Sequence, residues 1–191
     1  MKGRNGGTGW YRSLLPVCLL ATAIVMAGCA GTASQAVTPT VTQAFAPGQL
    51  LQLVGDVTGN GFMPPGVPRG TIDTVTFAIS VVPGVRGINL DNLTVIYADA
   101  IRTTTLTPVR GLNGTPDQGQ WGITGFINPY GPPTHRLDLD KQAIITVSLK
   151  SYIVPNQLFR IVVKPVEGQA LTITRVAPEP IVAGVNILEP A

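Results

Sequence analysis

From residue 50 onward the chain alternates apolar and polar positions in short runs. "TIDTVTFAISVV" (71–82) sets Val75, Phe77, Ile79 and Val81 on one side and Thr74, Thr76, Ala78 and Ser80 on the other. A repeat of two residues is the mark of a strand with one buried face. "NLTVIYADA" (92–100) repeats it through Leu93, Val95 and Tyr97. "LLQLVGDVTG" (50–59), "QWGITGFI" (120–127), "QAIITVSLK" (142–150), "QLFRIVVKP" (157–165) and "QALTITRVA" (169–177) read the same way. Turn chemistry separates them: Gly59-Asn60-Gly61, Pro83-Gly84, Asn113-Gly114 and Gly131-Pro132-Pro133. This spacing, with no helical period after the first 31 residues, predicts an all-β domain built as an antiparallel β-sandwich. No internal repeat is present.

The first 31 residues follow a different pattern. Lys2, Arg4 and Arg12 precede an apolar run, Leu14–Ala27, interrupted by Pro16 and Thr22. A basic head before an apolar core is the layout of an export signal. Three outcomes fit it. Met26-Ala27-Gly28-Cys29 resembles a lipobox, which would place a lipid on Cys29. Alternatively, cleavage after Gly6 or Gly7, at the Gly7–Thr8 region, would leave the apolar run in the mature protein as an assembly helix. The third outcome is a plain membrane anchor: the charge-free stretch 14–31 would span about 27 Å as a helix, just short of a ~30 Å hydrocarbon core. Its second half is rich in small residues, which suits close helix–helix contact. Residues 32–48, small, polar and twice marked by proline, read as a linker. The organisation is thus a hydrophobic segment (1–31), a linker (32–48) and a β domain (49–191).

Composition narrows the function classes. The chain has 191 residues, and its net charge of +3 is supplied by the three basic residues of the head. The remainder balances ten basic against ten acidic residues, leaving no basic stripe for a phosphate backbone, so nucleic-acid binding is not expected. Both cysteines, Cys18 and Cys29, lie in the apolar head, so the β domain must stand without disulfides or cysteine-held metal. Neither a nucleophile-elbow motif, nor H-E-x-x-H, nor a phosphate-binding loop occurs. The single histidine, His135, falls in a loop, where solvation is its ordinary role. Asp138 and Asp140 could lend oxygens to calcium, but two carboxylates two residues apart are commoner as a solvated turn. No cofactor and no catalytic residue is expected. Two N-x-[ST] sequons mark candidate glycan sites, Asn113 in a turn and Asn92 at the start of a strand.

The second half carries a resemblance. "DKQAIITVSL" followed by "LFRIVVKPVEGQALTITRVAPEPIVAGVNIL" resembles the end of archaellins, the subunits of the archaeal motility filament. Asp140 and Lys141 lead into a strand, a second strand ends in Val163-Lys164-Pro165, and a third holds Leu171, Thr172, Ile173 and Arg175. A proline-marked turn with Val185, Asn186, Ile187 and Leu188 closes the run. "GQLLQLVGDVTGNG", "IDTVTFAISVVPG" and "INLDNLTVIYAD" look like the first half of the same domain, so the resemblance spans about 49–188.

It implies an immunoglobulin-like sandwich behind a hydrophobic helix, a non-enzymatic role, passage through the membrane during export, and self-assembly into a homo- or hetero-polymeric filament outside the cell. The assembly helix would be carried by Leu14, Leu15, Val17, Leu19, Leu20, Ile24, Val25 and Met26. "GGTGWYRSLL" is similar to the family's processing site at Gly7 and Thr8, although Arg12 stands where glutamate is usual. Pro16, Gly28, Gly31 and Pro39 interrupt a helix that the family keeps continuous. A lipid-anchored surface protein, tethered through Cys29, is the alternative.

Overall fold

A computed structural model describes residues 45–66, 68–112, 114–127 and 134–191. The leader, with both its processing positions and Cys29, lies outside the described residues. Each alternating run folds as a strand, and the strands are more numerous than the pattern suggested. They are β1 (Leu51–Phe62), β2 (Thr71–Val81), β3 (Ile88–Asn89), β4 (Thr94–Asp99), β5 (Thr103–Thr105) and β6 (Thr107–Leu112). β7 (Gln120–Ile127), β8 (Arg136–Leu137), β9 (Gln142–Ile153), β10 (Leu158–Lys164), β11 (Leu171–Val176) and β12 (Gly184–Pro190) follow. A 3-10 turn, Leu90–Asn92, precedes β4. None of the described residues forms a helix long and apolar enough to cross a membrane.

Ten strands join in the order β5-β4-β10-β11-β12-β1-β2-β9-β7-β6. Two layers result because β12 changes partner along its length. Its first part pairs with β1, from Val57↔Leu188 to Gly61↔Gly184, and its end pairs with β11 at Val176↔Glu189 and Arg175↔Pro190. The opposite margin is closed covalently. The two terminal strands, β5 and β6, are consecutive in the chain and separated only by Leu106. The Leu106 N–H donates to the Val95 carbonyl (2.9 Å) in one layer, and the Thr107 N–H to the Gly119 carbonyl (3.1 Å) in the other. Both sheet edges therefore belong to one short, proline-bearing segment, a form that discourages pairing with foreign strands.

The inward residues are those the alternation named. Val75, Phe77, Ile79 and Val81 of β2, Ala143, Ile145, Val147 and Leu149 of β9, and Phe159, Ile161 and Val163 of β10 form one buried cluster. Tyr97 stacks on Phe159 across neighbouring strands, with ring centroids 6.0 Å apart. Loops seal one end of the core: Leu90 and Leu137 are fully buried there, held by the small β3–β8 ladder and by the Leu90 N–H on the His135 carbonyl (2.7 Å).

Two expectations need correction. The sheet is not wholly antiparallel, since β6 and β7 pair in parallel (Thr107↔Gln120, Leu112↔Ile123). The link 113–119 can extend to roughly 25 Å, enough to carry the chain back over a six-residue strand. Gly59-Asn60-Gly61 is not a turn but the interior of β1. The glycines serve close approach instead: a Cβ on Gly59 would strike Ile72, and one on Gly61 would strike the Val182 carbonyl and the Asn186 side chain.

Asn186 explains the closing motif of the chain. Buried within β12, its side chain accepts from the Val182 N–H (2.9 Å) and donates to the carbonyls of Val182 (2.8 Å) and Gly184 (2.9 Å). It thereby fixes the turn that delivers the corner strand. At about 1 kcal/mol per net hydrogen bond, with a penalty for the groups left unpaired, Asn186→Ala should lower stability by about 2–4 kcal/mol in urea unfolding.

Candidate functional site

His135 and Asp138, named from sequence, each make polar contacts with neighbouring side chains. His135 Nδ1 lies 2.5 Å from Asp91 Oδ1, both half exposed, tying the turn before β4 to the loop before β8. The pair borders a cleft of about 430 Å³ with Arg110 and Trp121. No serine, threonine or cysteine lines that cleft among the described residues. Asp138 is held by two cations, Arg136 Nε at 2.9 Å and Lys141 Nζ at 3.5 Å. Asp138 and Asp140 are not joined by a third ligating group; the described residues hold no cluster of three or more His, Cys, Asp or Glu.

Of the two sequons, Asn113 lies outside the described residues. Asn92 does not begin a strand: it is the exposed last residue of the 3-10 turn, whose Asp91 N–H donates to the capping Asn89 Oδ1 (3.0 Å). Assembly positions 14–26, Gly7, Thr8 and Cys29 also lie outside the described residues.

What the body does present is surface. The outer face of the larger layer carries cross-strand rows without a charged side chain. One runs Ile187–Thr58–Thr76–Thr146, and another Val185–Asn60–Thr74–Ser148. Thr146 Oγ1 lies 3.2 Å from Thr76 Oγ1 and 2.9 Å from Thr124 Oγ1, so the hydroxyls bond one another across three strands. β-branched side chains suit such a flat pleated face, and mutual hydrogen bonding lowers the cost of covering them.

The outer face of the smaller layer differs. Arg160 and Lys164 stand on it among Ile96, Val162 and Val176, and neither cation has an ion-pair partner among the described residues. At the start of β10, Ala98, Ala100, Leu158, Arg160 and Thr174 surround a mainly apolar dimple of about 270 Å³. Its rim is stiffened by Asp99. Burial alone would raise that carboxyl, but the Ile101 and Arg102 N–H groups (2.8 and 2.9 Å) and the Arg102 guanidinium prevail and hold it below its ordinary 3.8. Sequence reading missed this dimple because it depends on three strands meeting in one register. The alternate threonines of "DTVTFAIS" and "IITVSLK" were visible, but not their alignment.

The chain matches no protein-family model and no curated protein sequence. Solved structures do resemble it. The crystal structure of archaeal flagellin FlaB1 from Methanocaldococcus jannaschii superposes with a TM-score of 0.61 at 16% identity, covering 72% of this chain and 95% of that one. A chain of the archaeal flagellum of Methanospirillum hungatei gives 0.49 at 18% identity, covering 72% and 71%. The archaellum periplasmic stator protein FlaG from Sulfolobus acidocaldarius gives 0.44 at 18%, covering 65% and 99%. The first of these likenesses carries the fold: the body is an archaellin-like β-sandwich domain.

Asp99→Ala should cost about 1–2 kcal/mol at neutral pH, since it removes an acceptor for two backbone N–H groups. The carboxyl's folded value is depressed, so its stabilisation is present above 3.8 and fades as pH falls through the lower folded value. Urea titrations of wild type and variant should therefore converge on acidification.

Proposed function

We propose that this chain is a non-enzymatic subunit of an archaellum-type motility filament, displayed outside the cell. The observation that carries this reading is the archaellin-like sandwich, alike over 95% of the FlaB1 structure, behind an apolar leader. The work is divided. Leu14, Leu15, Val17, Leu19, Leu20, Ile24, Val25 and Met26 supply the apolar surface that polymerisation hides, while the sandwich rides outside as sheath.

Magnitudes favour the leader as the driving element. A helix burying roughly 1,000 Å² of apolar area gains on the order of 25 kcal/mol at ~25 cal/mol per Å², before ordering costs. The body contributes fit rather than force. Its threonine rows, which hold no charged side chain, can lie against a neighbour without stripping water from ions, a cost that often cancels the gain of buried charge. The segment 1–31, linker 32–48 and domain 49–191 are the working divisions, with processing between Gly7 and Thr8. Asn92, exposed on its turn, and Asn113 are proposed glycan acceptors on the exported chain.

Leu20→Asp should abolish filaments seen by electron microscopy while circular dichroism still reports a folded β domain. Normal filaments from that variant would refute the reading. The tetrad Met26-Ala27-Gly28-Cys29 supports a second one, a lipid-anchored surface protein. Cys29→Ser separates the two: it should leave filaments intact, whereas a lipid-tethered protein would be released from the membrane fraction.

A further inference from the structure

Strand β10 has a hollow at one end and a projection at the other. The hollow is the dimple of about 270 Å³ bordered by Ala98, Ala100, Leu158 and Arg160. The projection is the loop after β10, where Val166 is 75% exposed and Glu167 follows it. The strand between them is seven residues long, about 23 Å, so the two features face opposite poles of the same layer.

The projection is held in place. Gly168 sits at φ +83°, the Gln169 N–H donates to the Gly48 carbonyl (2.8 Å), and Gln49 and Gln169 form an isolated bridge. A tip pinned at its base loses little freedom on docking, which preserves affinity.

The hollow and the tip carry opposite charges. At the hollow, Asp99 is already engaged by Arg102 and by two backbone N–H groups, so Arg160 is the charge left without a partner among the described residues. At the tip, Glu167 is likewise without an ion-pair partner among the described residues. An apolar knob beside a carboxylate thus matches an apolar hollow beside a guanidinium.

We propose that the Val166–Glu167 tip of one copy docks in the Ala98–Leu158 hollow of the next, with Glu167 paired to Arg160. Knob and hollow occupy different places on one molecule, so the contact is head-to-tail and builds rows rather than closed pairs. It deepens the filament reading, on which it rests, by naming the body-to-body contact of the sheath.

The test uses the full chain with Cys18→Ser and Cys29→Ser, carrying Ala100→Cys and Val166→Cys together. Mild oxidation should give a ladder of disulfide-linked dimers, trimers and higher species on a non-reducing gel. Either cysteine alone should leave monomer. Adding Arg160→Glu should cut the linked fraction roughly fivefold, and adding Glu167→Arg to that should restore most of it. Filaments without a ladder would overturn this contact and leave the filament reading standing. A ladder without filaments would support the contact and remove the filament reading. Dimers from Ala100→Cys alone would overturn it in favour of two-fold pairing. Should the cysteine variants not fold, Arg160→Glu and Glu167→Arg can be compared by sedimentation of polymer. Each alone should reduce the pellet and the pair restore it; equal loss in single and paired variants would overturn the contact.

Discussion

The structure depends on closing a ten-strand sheet on itself so that both inward faces are buried at once. Two places achieve this. At one margin β12 shares its length between β1 and β11. At the other, Leu106 carries the chain from β5 to β6 and so from one layer to the other. With no cysteine beyond residue 29, no covalent staple assists. Packing of Phe77, Ile145, Ile161 and their neighbours must offset the conformational entropy of the whole domain. Asn186 matters for that reason: it is a buried polar group whose bonds position the strand on which closure turns.

The interior was legible in the sequence wherever a strand buries one face and exposes the other. β9 and the middle of β2, Val75–Ile79, obey the period of two, so their core residues could be named directly. Three features could not be read. The segment "TTTLTPVR" holds only Leu106 and Val109 as apolar residues, too few to mark two edge strands. Gly59-Asn60-Gly61 carries turn chemistry, yet serves close contact with Ile72 and Val182, which depends on partners far along the chain. β12 alternates in reverse of its surface appearance: Asn186 is buried while Val185 and Ile187 are exposed. Of the surface features, single residues were legible and alignments were not. Four threonines from four strands meet only once the register is set.

Leader and body are chemically complementary. The leader is apolar and almost uncharged beyond its head, whereas the body balances ten basic against ten acidic residues and carries cross-strand threonine rows without a charged side chain. The proposed polymer and the alternative tether differ in which part of residues 1–31 the mature chain keeps.

Intact mass combined with N-terminal sequencing of the protein recovered from cells tests that most directly. A mature chain that begins at Thr8 and retains residues 14–26 is the expected result. A lipid-modified start at Cys29, or a free body lacking the apolar run, would contradict assembly through the leader.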